Sequence, residues 1–191
     1  MIKFYTNREL SKNLEINLAK WKRWSREFLP PDPLGGKQSG YARQYKLDDA
    51  FKVGLGGHLV ADLKYTIPEA KQILEDLQDW LVDKGFYFDF EDKANPPKDA
   101  EKIVKTYKIF IIQEKHSQNN NYNFFYKIRG IISDEPTNYK GFQIREERYM
   151  ETSIIQQRKE LEAIDMNIAK MLDITVFYNN FRKKIGVGSR N

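Results

Sequence analysis

Apolar residues near the start of the chain recur at the spacing of helices. Thr6, followed three residues later by Glu9, forms a capping box and predicts a short helix with Leu10 facing inward. Asn17 can cap a second helix that runs to about residue 28. The apolar stripe of this second helix consists of Leu18, Trp21, Trp24 and Phe28.

Two further helices are predicted before residue 85. The third runs from about residue 47 to residue 64, and its glycines each weaken it by about 1 kcal/mol relative to alanine. We therefore expect a kink or a close approach to a neighbour at Gly54, Gly56 and Gly57. Thr66 and Glu69 form a second capping box, with Pro68 in the first turn, and they open a helix that runs to about Lys84.

Between the second and third helices, the stretch "KQSGYARQYKLDD" has the glycine, aromatic residues and alternation of a short two-stranded ribbon. After the fourth helix, Gly85 stops the helical pattern. The polar stretch "DFEDKANPPKDAEK" that follows carries a double proline and is predicted to be a linker.

The remainder of the chain changes to a strand-like pattern. "IVKTYKIFIIQ" and "YNFFYKIRGII" are rich in β-branched and aromatic residues and are separated by the polar "KHSQNNN", which predicts a hairpin. "GFQIREERYM" is a candidate third strand. A last long helix is predicted from near Thr152, on the spacing of Leu161, Ile164, Ile168 and Met171.

These patterns predict an α+β fold with two domains. The first is an all-helical winged helix-turn-helix domain over residues 1–86, followed by a linker over residues 87–102. The second, over residues 103–191, is a small antiparallel sheet plus a long helix, with an effector or oligomerisation role.

Charge is unevenly distributed along the 191 residues. The first 64 residues hold 12 Lys and Arg against 7 Asp and Glu, whereas the remaining 127 hold 20 of each. This asymmetry indicates an anionic partner for the first third of the chain. The absence of cysteine excludes disulfides, thiolate metal sites and cysteine-based redox sensing within the sequence. No apolar run approaches a membrane span and no secretion signal is visible, so we expect a cytoplasmic protein.

Catalytic patterns are not evident in the sequence. It contains no glycine-rich phosphate loop, no histidine pair at metal-ligand spacing and no nucleophile with a base motif. His58 and His116 are expected to be ordinary residues. Neither Asp48-Asp49 nor Glu146-Glu147 forms a natural acid–base couple, because adjacent side chains point in different directions. We therefore expect neither an enzyme nor a cofactor or metal site.

Three motifs in order carry a family resemblance: "FYTNRELSKNLEINLAKWKRWSREFLPP", then "GYARQY", then "YTIPEAKQIL". Together they resemble the DNA-binding domain of the MerR family of transcription regulators, over residues 1–84 only. The resemblance implies a winged helix-turn-helix whose second helix enters the DNA major groove. It also implies double-stranded DNA as the partner and transcription regulation as the function.

The resemblance and the charge pattern together suggest a set of DNA-binding residues. On the second helix, Trp21 and Trp24 are expected to be core residues, while the helix presents its polar side chains to the groove. On the wing, donors on a second element would hold adjacent phosphates. The predicted set is Asn17, Lys20, Lys22 and Arg23 on the helix, with Lys37, Tyr41, Arg43 and Tyr45 on the wing.

The sequence departs from the family in three places. Ala42 adds a residue to the wing, Ala19 stands where the family often has a cation, and Gly85 precedes a proline linker instead of a long dimerisation helix. A homodimer is still expected, as is a small-molecule or protein ligand for the second domain. Two alternatives stay open: a DNA-architectural factor of excisionase type, and a protein-interaction module whose winged helix binds no DNA.

Overall fold

A computed structural model describes residues 4–32, 43–87, 104–115, 122–155 and 169–186. The chain is mixed α and β and divides into two compact units. One unit contains Met1–Ala94 together with Phe177–Asn191, and the other contains Asn95–Val176. The predicted second domain ran over residues 103–191, whereas the structure groups the residues from Phe177 onward with the first unit.

The helices of the first unit begin where their capping residues predict. The hydroxyl of Thr6 accepts from the Glu9 amide and the Glu9 carboxylate accepts from the Thr6 amide, which confirms the first capping box. Thr66 and Glu69 repeat this arrangement. The elements are β1 (Tyr5–Thr6), α1 (Asn7–Asn13), α2 (Leu18–Phe28), β2 (Gln44–Tyr45), α3 (Leu47–Ala61) and α4 (Ile67–Asp83).

Helices α2 and α3 approach closely because α3 presents glycine where α2 presents large rings. A Cβ atom added to Gly56 would lie 2.7 Å from Cδ2 of Phe28. A Cβ atom on Gly57 would overlap the ring of Trp24. The predicted close approach at these glycines is therefore confirmed, and it places both rings in the core of the first unit.

The last helix, α5 (Ile174–Ile185), buries an aromatic face in the first unit. The ring of Phe51 on α3 lies within 5.4–5.8 Å, centroid to centroid, of three rings from α5. These rings are Phe177, Tyr178 and Phe181. The charges at the end of α5 do not prevent this docking, because the Lys184 ammonium forms an ion pair with Glu15 at 2.6 Å.

The second unit contains a four-stranded antiparallel sheet in the order β5-β4-β3-β6. The predicted hairpin is confirmed, because Thr106 pairs with Ile131 and Lys115 pairs with Tyr122. The predicted third strand is also present. The strands are β3 (Thr106–Lys115), β4 (Tyr122–Tyr139), β5 (Phe142–Ile155) and β6 (Ala169–Asp173).

The prediction of a long helix from Thr152 is wrong at both ends. Thr152 lies in β5 and pairs with Ile128, and Met171 lies in β6 and pairs with Phe110. The apolar residues around Met171 alternate as in a strand, since Leu172 is buried opposite Ile109 while Met171 is exposed. Leu161, Ile164 and Ile168 lie outside the described residues.

Strands β4 and β5 extend beyond the rest of the sheet as a two-stranded arm. The register with β3 ends at Ile131, and a β-bulge separates Ile131 from Ser133. Among the described residues, β4 pairs from there to the turn with β5 alone, and residues 133–148 are named the β4–β5 arm. Lys140 and Gly141 form its two-residue turn, with φ of 50° and 86°. Positive φ at both positions is the type I′ geometry that matches the twist of a hairpin.

No helix in the described ranges is both long enough and apolar enough to cross a membrane.

Candidate nucleic-acid interface

A short, well-bonded turn joins α1 to α2. Leu14 is buried, and the Ile16 amide donates to the Ser11 carbonyl at 2.9 Å. Glu15 takes a positive φ of 58°, which turns the chain sharply. Asn17 then caps α2, since its side-chain oxygen accepts from the Ala19 amide at 2.9 Å. The turn and the cap thereby fix the connection between α1 and α2.

Helix α2 has one buried face and one cationic face. Trp21 is fully buried, with Trp24 and Phe28 beside it. Positions 19, 22, 23 and 26 follow the i, i+3, i+4, i+7 spacing that places residues on one side of a helix. The exposed residues of α2 are Ala19, Lys20, Lys22, Arg23 and Arg26. The structure therefore adds Arg26 to the predicted set, a residue that the helical spacing alone could have identified.

Glu27 is the one acidic residue in the sequence of α2, and it is bonded to another helix. Its carboxylate accepts from the Lys71 ammonium at 3.0 Å. The hydrogen bond and charge of Lys71 lower the pKa of Glu27, and the positive charges of Arg23 and Arg26 lower it further. Because the folded-state pKa is lowered, the pair contributes to stability above the unfolded pKa and is lost on acidification.

Asn17 and Lys20 lie at the N-terminal end of α2. The Asn17 oxygen is used by the cap, while its amide group also carries two N–H donors. Lys20 is exposed in the first turn. The two predicted contacts are therefore grouped at the end of α2 next to the turn.

The described part of the predicted wing contains Arg43 and Tyr45. Strand β2 pairs with β1, so that Tyr45 lies opposite Tyr5 and is only 1% exposed. Its hydroxyl donates to Oδ1 of Asn7 at 2.6 Å, and its ring contacts that of Trp21. This burial corrects the assignment of Tyr45 as a phosphate-binding residue. Lys37 and Tyr41 lie outside the described residues.

Arg43 links β2 to the end of α2. Its Nη2 donates to the Pro30 carbonyl at 2.8 Å, and its guanidinium lies 5.6 Å from the centre of the Tyr45 ring. Arg43 is half-buried. A guanidinium has five N–H donors, so one bond to Pro30 is compatible with a further bond to a phosphate.

The end of α5 meets the turn between α1 and α2. Phe181 and Ile185 are buried, which fixes this part of α5 against the first unit. The pair between Lys184 and Glu15 lowers the pKa of Glu15, mainly through the hydrogen bond and then through the charge of Lys184. Lys183 is exposed on the same helical turn. The contact between Glu15 and Lys184 joins residues far apart in the chain, so no local sequence pattern reveals it.

The acidic and histidine side chains of the described segments do not form a metal site. Within those segments, no group of three or more His, Cys, Asp or Glu residues could hold a metal ion. His58 lies 2.6 Å from the carboxylate of Asp62 and its ring packs at 5.0 Å from the ring of Phe177. His58 thus contributes to the docking of α5 on α3.

Comparisons of the chain with protein families, with curated proteins and with solved structures found no match. The resemblance to the MerR family stays a prediction.

Proposed function

We propose that this chain is a sequence-specific DNA-binding transcription regulator. In this proposal α2 lies in the major groove, and Arg43, Lys183 and the predicted wing residue Lys37 contact phosphates. The observation that supports it is the cationic face of α2, formed by Lys22, Arg23 and Arg26. The major groove of B-DNA is wide enough to admit an α-helix.

The core contacts of α2 suit it to base recognition. The buried rings of Trp21 and Trp24 hold the opposite side of the helix, so the cations project from a rigid element. Ala19 is small, which lets the backbone approach the edges of the bases. The Lys71 ammonium offsets the negative charge of Glu27, which otherwise acts on Arg23 and Arg26 of the cationic face.

A second copy of the chain is part of the proposal. Helix-turn-helix dimers bind two half-sites about one helical turn apart, which would double the number of phosphate contacts. Sedimentation of the protein with and without a two-site duplex distinguishes a preformed dimer from one that assembles on DNA.

Fluorescence anisotropy across a salt series tests the proposal. The purified protein is titrated into a labelled duplex from its own upstream region and into a scrambled duplex of equal length. About six phosphate contacts predict a log–log slope near −5. A steep slope with preference for the upstream duplex supports a regulator. A steep slope without preference supports an architectural factor, and absence of binding at low salt refutes DNA binding and leaves the protein-interaction module.

Arg23→Ala is expected to weaken binding to the preferred duplex by about 1–3 kcal/mol, if Arg23 makes a bidentate contact with guanine. The loss should be smaller on a duplex in which that base pair is changed. Lys52→Ala on α3 removes the same charge outside the interface and serves as the matched control. Equal losses from both variants would show that Arg23 reads no base.

Arg43→Ala is expected to weaken binding to all duplexes equally and to reduce the magnitude of the salt slope by about 1, because Arg43 is proposed to contact a phosphate. Loss of the bond to Pro30 is a separate, structural effect, so circular dichroism must first show that the variant is folded. Unchanged affinity in the folded variant contradicts the phosphate contact.

A further inference from the structure

The β4–β5 arm carries two exposed aromatic rings at its tip. Tyr139 and Phe142 flank the turn and are 56% and 72% exposed. Burying an aromatic ring is strongly favourable, so exposed rings at the end of a projecting element indicate a surface for a partner. The six residue steps from Ser133 to Tyr139 carry the rings about 20 Å along the arm.

The strand register separates the tip into an apolar face and an amide-containing face. Residues directly opposite in an antiparallel pair lie on the same face, and the faces alternate along the strand. The Tyr139–Phe142 pair therefore shares a face with the pair Thr137–Ile144. The opposite face carries the pair Asn138–Gln143.

The sign of the charge along the arm sets the boundary of the tip. Residues 136–145 contain Lys140 and Arg145 and no acidic residue. Immediately below them, Glu135 and Glu146 lie directly opposite each other, and both are exposed. Two like charges in a cross-strand pair are unfavourable, and they would also repel a polyanion. The surface suited to an anionic partner thus ends at this pair.

We propose that the tip of the β4–β5 arm enters the minor groove of duplex DNA and that Phe142 inserts between base pairs and kinks the duplex. This inference rests on the proposed DNA-binding function. Apolar wedges that partly unstack a base step are a general means by which minor-groove proteins bend DNA. Lys140 and Arg145 lie where they can contact the flanking phosphates.

The amide-containing face favours DNA over a lipid surface. Asn138 and Gln143 can hydrogen-bond to the acceptors on base edges in the groove. In the apolar part of a bilayer the same amides would lose their hydrogen bonds to water, which is costly. An aromatic tip that carried only cations would suit either DNA or a lipid surface. The amide pair Asn138–Gln143 is the feature that favours DNA.

The test compares Phe142→Ala, Phe142→Leu and Met171→Ala in the full-length protein. Leucine retains an apolar wedge whereas alanine does not. Met171 is 46% exposed on β6, outside the arm, so its substitution controls for loss of an exposed apolar side chain. Bending is measured by energy transfer between dyes at the two ends of the upstream duplex, and affinity by anisotropy.

The proposal predicts that the wild type bends the duplex and that Phe142→Ala abolishes the bend and weakens binding about tenfold. Phe142→Leu and Met171→Ala should retain both bend and affinity. If the wild type binds DNA but Phe142→Ala behaves like Met171→Ala, the tip inference is wrong and the proposed function stands. If the wild type binds no duplex, both are wrong. Binding to phosphatidylserine-containing vesicles that is lost only in Phe142→Ala would overturn the inference in favour of a lipid surface.

Discussion

Trp21→Ala is expected to lower the free energy of unfolding of the first unit by about 3–5 kcal/mol. Trp21 is fully buried on α2 and its ring lies 5.8 Å from that of Tyr45. Alanine would leave a cavity between α2 and the short β1–β2 sheet. Because the same helix carries the proposed DNA contacts, the variant should also lose DNA binding in proportion to the fraction unfolded.

The Trp21→Phe variant separates ring packing from hydrogen bonding. Nε1 of Trp21 is buried and, within the described part of the chain, has no hydrogen-bond acceptor. An unsatisfied buried donor costs about 1–3 kcal/mol. Phenylalanine has no N–H donor, so the substitution removes this cost, and the stability it gains offsets part of the loss from the smaller ring. We therefore expect Trp21→Phe to be much less destabilising than Trp21→Ala.

Urea denaturation followed by tryptophan fluorescence measures both effects. The chain has three tryptophans, Trp21, Trp24 and Trp80, and all lie in the first unit, so the signal reports that unit alone. Trp24 and Trp80 retain the signal in both variants. Equal midpoints for Trp21→Ala and the wild type would contradict the packing described for α2.

Alanine at Gly57 and alanine at Gly54 are expected to change stability in opposite directions. At Gly57 the new methyl group would overlap the Trp24 ring, and overpacking of this kind costs about 1–3 kcal/mol. At Gly54 the nearest atom is Cε2 of Phe181 at 3.5 Å, which is an ordinary contact. The variant there should gain up to about 1 kcal/mol, the difference in helix propensity between glycine and alanine.

A double-mutant cycle attributes the Gly57 effect to its neighbour. Combined with Trp24→Leu, Gly57→Ala should cost less than it does alone, because the smaller side chain leaves room for the methyl group. The same urea titrations supply the four free energies. Strict additivity of the two substitutions would place the cost of Gly57→Ala somewhere other than the Trp24 ring.

Local signals predicted much of the first unit. The boxes at Thr6 and Thr66 locate helix starts because each one satisfies backbone donors by itself, without help from distant residues. The apolar spacing identified Trp21 and Trp24 as core residues, because the side chains on one face of a helix recur with a fixed period. The hairpin of β3 and β4 was also predicted from a local signal, because its two strands are adjacent in sequence.

Long-range pairing accounts for what the sequence did not reveal. Tyr45 was assigned to an exposed wing, but β2 pairs with β1 about 40 residues earlier and turns that side chain inward. Met171 fits a helical spacing and a strand alternation equally well, and only the pairing with Phe110 decides between them. The cationic face of α2 was visible in sequence, whereas the ion pair between Lys184 and Glu15 depended on the docking of α5.

The return of Phe177 and Phe181 to the first unit makes that unit discontinuous in sequence, with Asn95–Val176 as an insertion between its two parts. On the ribosome, α1 to α4 emerge first, but Phe51 gains its contacts with Phe177 and Phe181 only after α5 has been synthesised. Synthesis of the whole inserted segment therefore separates α1 to α4 from the last of their core contacts. A nascent chain would complete the aromatic packing on α3 only after the second unit had also been made.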